Sequence, residues 1–202
     1  MTIMATSKNI EKNTKVVVND SLVALKESMS ELTTSEKSGL GTISGPLAKN
    51  IMDRCDSLLA EYQKENLSKA SNLSDTRALA LIGLRAAEKY DPSRSEAYGK
   101  VLIKTADYAV NNYDSSKLPA HELMMAVKDG FRMAEKYGTP AEVKRFATTL
   151  VGMYTAYITY YRNEKIYENN VIEVSKEALR LASRYGMKES ENKLKKIIGI
   201  TK

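Results

Sequence analysis

An octet that recurs three times at nearly constant spacing constrains the fold most. Residues 83–90 read GLRAAEKY, residues 130–137 read GFRMAEKY and residues 178–185 read ALRLASRY. Their starts lie 130 − 83 = 47 and 178 − 130 = 48 residues apart. Arginine, alanine and tyrosine hold the third, fifth and eighth places in every copy. A period of about 40–50 residues in a chain of helical periodicity is the mark of stacked helix pairs. The pitch is that of HEAT-type pairs, without a diagnostic motif for them, and it is longer than a tetratricopeptide unit.

The octet has a physical reading on a helical wheel. With Arg85 at the origin, Gly83, Ala87 and Tyr90 fall at about 160°, 200° and 140°, on one buried face. Gly83 with Ala87, Gly130 with Ala134, and Ala178 with Ala182 place two small residues four apart. That pattern admits a neighbouring helix closely. A glycine inside a helix costs about 1 kcal/mol against alanine, so keeping it twice points to a contact that outweighs the cost. The closing tyrosine is expected ring-inward, with its hydroxyl near the surface.

The opposite face is basic. Arg85 and Lys89 lie four apart, as do Arg132 with Lys136 and Arg180 with Arg184. In a parallel stack these six side chains form a ladder suited to nucleic-acid phosphates, contacted without base readout. The competing reading is a solvated helix face. Asp129 stands three before Arg132 and Glu177 three before Arg180, so local ion pairs can absorb the charge.

Local signals place the other helices of this region. Ser93 with Glu96 and Thr139 with Glu142 match capping boxes, and Pro140 suits a first helical position. Gly138 and Gly186 stand where helices end. Helices are expected near residues 75–90, 93–113, 119–137, 140–163, 168–186 and 189–198. The N-terminal part is thinner. Leu22, Leu25, Met29 and Leu32 make one stripe of a short helix, and Leu47, Ile51, Cys55, Leu58 and Tyr62 a second. Residues 33–45, TTSEKSGLGTISG, read as a loop, with Pro46 opening the helix after it. The β-branched run Val16-Val17-Val18 is too short for a sheet. The expected fold is all-α: a helical bundle or short stack of helix pairs on the 47–48-residue repeat, over residues 75–202, preceded by a two-helix arm over residues 1–74. The arm is expected to pack on the rest or on another subunit.

Charge separates the same two regions. Residues 1–75 carry 9 basic and 10 acidic side chains, and residues 76–202 carry 22 and 15, so the net charges are −1 and +7. A basic domain attracts phosphate-bearing partners at long range, and it also serves solubility. The tail KLKKIIGITK, residues 193–202, alternates basic and apolar groups, a weak signal for a membrane surface. No run of about 18 apolar residues spans a membrane, and residues 1–15 lack the apolar stretch of a secretory signal. A cytoplasmic location, or one inside a nucleoprotein particle, is therefore expected.

Catalytic signals are thin. Cys55 is the one cysteine and His121 the one histidine. No nucleophile elbow, zincin helix, Walker loop or dinucleotide fingerprint is present, and no cofactor or metal is implied. Cys55 reads as a small buried hydrophobe, and His121 as a surface or capping residue. The chain is therefore expected not to be an enzyme, unless a concave pocket gathers His121 or a carboxylate cluster. One helix is dense in tyrosine: Tyr154, Tyr157, Ile158 and Tyr161 share a stripe, while Tyr160 points elsewhere. That stripe suits a core, a subunit interface or base stacking. The expected function is a non-catalytic assembly protein associated with nucleic acid, such as a coat, packaging or nucleoprotein subunit. Its rival is a helical-repeat adaptor that binds, in a groove, another protein.

Overall fold

The computed structural model describes residues 2–64, 70–112 and 120–199, and every regular element among them is helical. The helices are α1 (Thr2–Lys37), α2 (Gly41–Lys64), α3 (Ala70–Tyr90), α4 (Pro92–Asn111), α5 (Ala120–Tyr137), α6 (Pro140–Tyr161), α7 (Glu168–Arg184) and α8 (Lys188–Ile197). A 3-10 turn, Lys165–Tyr167, joins α6 to α7. The six helices expected after residue 75 appear at nearly the expected bounds. Tyr113, Leu118 and Pro119, and the last three residues of the tail, lie outside the described residues. Two compact units divide the chain, Met1–Val101 and Leu102–Lys202, and the division falls inside α4.

In the first unit α2 packs against both α1 and α3. The expected α1 stripe of Leu22, Leu25, Met29 and Leu32 is buried. On α2 the buried line runs through Ile51, Cys55, Leu59 and Tyr62, with Leu47 and Leu58 half-buried beside it. Three expectations need correction. The first helix is not short, since α1 runs Thr2–Lys37. The segment 33–45 is not a loop: α1 runs on to Lys37 and α2 starts at Gly41. The hydroxyls of Thr33 and Thr34 donate to the carbonyls of Met29 and Ser30, at 2.8 and 2.9 Å, and so stay inside the helix. Ser35 and Ser44 are buried and share a hydrogen bond of 2.7 Å across the turn. Gly39, at φ +69°, ends α1 in a Schellman turn, where Leu40 N–H reaches the Ser35 carbonyl and Gly39 N–H the Glu36 carbonyl. Pro46 lies inside α2 rather than opening it. Ile43 and Ser44 N–H both bond to the Leu40 carbonyl, so the first turn closes before the proline.

In the second unit α6 packs against α5 and α7, and α8 against α7. Phe146, Leu150, Ile158, Leu181 and Leu194 fill the core. The capping box at Thr139 is complete. Glu142 N–H donates to Thr139 Oγ1 at 3.3 Å, and Thr139 N–H to Glu142 Oε2 at 2.7 Å. The Thr139 N–H, together with the Thr139 hydroxyl at 2.9 Å, holds the Glu142 carboxyl below its ordinary range. Gly186, at φ +68°, ends α7 in a second Schellman turn through Met187 N–H to the Ala182 carbonyl. Gly138 does not take a left-handed backbone. It is required because a Cβ there would stand 2.7 Å from Ala134 Cα. Ser93 does not cap α4. The helix begins at Pro92, and the Ser93 hydroxyl donates to Asp91 instead.

The octet glycines sit at close helix contacts. A Cβ on Gly83 would lie 2.4 Å from the Tyr98 ring on α4, within the first unit. A Cβ on Gly130 would lie 2.2 Å from Ala106 Cβ, again on α4 but within the second unit. Tyr98 is fully buried and donates its hydroxyl to the Met52 carbonyl at 3.1 Å, so α4 is tied to α2 through the same ring. Below it, Arg94 bridges Asp53 and Asp56 of α2 at 2.7 and 3.3 Å. Gly83→Ala and Gly130→Ala are expected to destabilise by about 1–3 kcal/mol through overpacking. Gly152→Ala, on an exposed α6 position with nothing near the added methyl, is expected to stabilise by about 0.5–1 kcal/mol. Urea unfolding of the three variants checks the opposite signs.

Candidate functional site

The octets close α3 and α5, and the third spans the end of α7. Their small positions face the interior: Ala87, Ala134, Ala178 and Ala182 are buried. The closing tyrosines are half-buried, and their hydroxyls do specific work in two copies. Tyr90 donates to Glu36 Oε1 at 2.9 Å, and Tyr185 to Glu135 Oε1 at 2.9 Å. The preceding basic residue meets the same carboxylate. Lys89 pairs with Glu36 at 3.2 Å, and Arg184 with Glu135 at 2.8 Å. Each octet end therefore grips a glutamate on a helix earlier in its own unit, α1 in the first case and α5 in the second. The Tyr90 hydrogen bond, aided by Lys89, holds Glu36 below the ordinary value of 4.5.

The six candidate phosphate contacts fall two in the first unit and four in the second. Arg85 is exposed and donates to Thr33 Oγ1 at 3.2 Å. Lys89 is held by Glu36 as above. Arg132 is exposed and has no ion pair among the described residues. Lys136 lies over the Tyr137 ring at 5.0 Å. Arg180 forks onto Glu177, with bonds of 3.1 and 3.0 Å, and Arg184 is held by Glu135. The i−3 pairing read from the sequence thus forms at Glu177. Glu36, the partner of Lys89, went unnoticed, although Leu32 and Glu36-Lys37 repeat the second, sixth and seventh places of the octet.

The tyrosine helix divides between core and surface. Tyr154 and Ile158 are buried within their own unit, and burial pushes the Tyr154 hydroxyl up to about 12. Tyr157 and Tyr161 are half-buried, whereas Tyr160, placed off the stripe, is 78% exposed. Ring centroids of Tyr161 lie 4.7 Å from both Tyr157 and Tyr160 and 4.5 Å from Tyr167, making one cluster of four rings. Ile166, on the turn beyond, is 83% exposed. An open groove of about 700 Å³ adjoins the cluster, lined by Val110, His121, Met124, Met153, Tyr157 and Tyr160 among others. Among the described residues no carboxylate lines it. No group of three or more His, Cys, Asp or Glu side chains gathers with metal-binding geometry among the described residues. Cys55 is buried, and burial raises its thiol to about 12.

Tyr90→Phe and Tyr185→Phe are each expected to cost about 0.5–1.5 kcal/mol of stability, as for one lost hydrogen bond. The Glu36 carboxyl titrates lower in the folded chain, so its contribution is present above the ordinary value and lost as pH falls through the folded one. Glu36→Gln is therefore expected to destabilise at pH 7, with the difference from the unaltered chain shrinking as pH falls below the ordinary value of 4.5, by urea unfolding across that range.

Comparison of the chain with protein-family models, with curated proteins and with solved structures gave no match. Among the described residues no helix is long and apolar enough to cross a membrane.

Proposed function

We propose that the protein is a non-catalytic assembly subunit that makes protein contacts through the tyrosine face of its second unit. The observation that carries this is the exposed Tyr160, Ile166 and Tyr167 gathered about the half-buried Tyr161, beside an apolar groove. Tyrosine buries much area with little loss of rotamer freedom, and contiguous exposed apolar groups mark contact surfaces. In this reading the chain is a stack of helix pairs, α1–α2, α3–α4, α5–α6 and α7–α8, with the N-terminal two-helix arm as its divergent first pair. Sedimentation of the unaltered chain beside a Tyr160→Ser, Ile166→Ser variant tests it. Association that disappears in a variant of unchanged melting temperature is expected. A monomer at the highest soluble concentration contradicts self-assembly and leaves the adaptor, which takes up a different protein in the groove.

Association with nucleic acid is a second reading, favoured by Arg132, which stands exposed without an ion pair among the described residues. The pairs at Lys89, Arg180 and Arg184 lie at the surface, where such pairs contribute only about 0–1 kcal/mol. Exchanging their carboxylates for phosphates is therefore cheap. A coat or packaging subunit of this kind binds any sequence and weakens steeply with salt. Arg132→Glu with Arg180→Glu is expected to weaken binding to a generic duplex. Equal binding by that variant would remove the second-unit cations from this reading.

A further inference from the structure

The first unit holds a second basic feature, a groove of about 580 Å³ between α1 and α3. Lys26, Ser30, Lys37 and Arg85 line it, over Met29 and Ile82. Among the described residues no carboxylate lines it. Lys26 and Lys37 are exposed and have no ion pair among the described residues. Glu36 lies on the adjoining face of α1, where Lys89 and Tyr90 hold it, and its charge is felt by Arg85. Arg85 spends one donor on Thr33, whose own hydroxyl proton is committed to the Met29 carbonyl. The rest of its five-donor fork is available.

The spacing selects the ligand. Lys26 and Lys37 are eleven residues apart on one helix, about 16 Å at 1.5 Å per residue. Arg85 meets the same face between them, at the level of Thr33. About 16 Å is the rise of roughly five phosphates along one strand of a duplex. An open groove with cations at its ends and middle fits a linear polyanion better than a compact one, and an acid-free lining keeps the field positive along it. We propose that this groove is a contact site for a nucleic-acid phosphodiester backbone, with Lys26, Lys37 and Arg85 as the phosphate ligands and no base readout. The proposal rests on the nucleic-acid reading above and is independent of the tyrosine face. It moves Arg85 out of the octet ladder and joins it to two lysines outside the octets. Lys37 also stands in the last turn of α1, where a cation offsets the negative helix end, so the test needs a stability readout.

The test is binding of the full chain to a fluorescent generic duplex across a salt series. Beside it run a groove variant, Lys26→Gln, Lys37→Gln, Arg85→Gln, and a second-unit variant, Arg132→Glu, Arg180→Glu. Three lost phosphate contacts are expected to lower the log–log salt slope by about 2.7 and the low-salt affinity about tenfold or more, with melting unchanged. A groove variant with the slope of the unaltered chain, while the second-unit variant binds poorly, overturns the groove and keeps the nucleic-acid reading. A groove variant that melts lower and keeps its slope assigns these cations a structural role and also overturns it. An unaltered chain that binds no duplex at low salt overturns both readings together.

Discussion

The closeness of α4 to its neighbours decides which residues the octets can hold. At Gly83 the Tyr98 ring occupies the place of a side chain, and at Gly130 the Ala106 methyl does. Neither position tolerates a Cβ without movement, so these two octet glycines follow from the packing and not from helix propensity. Propensity opposes them, because glycine inside a helix loses more backbone freedom than alanine. With that approach made, Tyr98 reaches the Met52 carbonyl and Arg94 reaches Asp53 and Asp56, and α2, α3 and α4 are joined through one buried ring.

The polar face of the octet answers a different need. Lys89 with Tyr90, and Arg184 with Tyr185, converge on single carboxylates. A phenol donor and a cation on one oxygen pair leave that carboxylate well satisfied at a half-exposed helix end, where either alone contributes little. The same cations that make the chain basic therefore also register its helices. Their engagement leaves Arg132, Lys26 and Lys37 among the exposed cations whose charge no ion pair among the described residues offsets.

Much of the fold was legible because its signals are local. The Thr139 cap and the Gly186 turn lie within a few residues of the features they specify. The errors came where a polar side chain finds its partner inside its own helix or across a tight turn, and so offsets a loop-like composition. Residues 33–45 have loop composition, yet Thr33 and Thr34 bond back into their own helix, and Ser35 meets Ser44 across the turn. The site was legible in part. The octets contained Lys89, Arg184 and Glu135, but nothing in their spacing paired these cations with Glu36 and Glu135, since which helices meet is not written in local periodicity. Tyr160 was set aside for lying off the apolar stripe, and for that reason it remains at the surface.

If steric need fixes the octet glycines, the cost of a methyl at Gly83 must depend on the ring opposite. The direct measurement is a double-mutant cycle by urea unfolding, with Gly83→Ala made in the unaltered chain and again beside Tyr98→Leu. Gly83→Ala is expected to destabilise the first and to be neutral or stabilising in the second, where the smaller side chain vacates the space. An equal loss in both backgrounds would contradict the claim, and would mean that the glycine serves something other than the approach of α4.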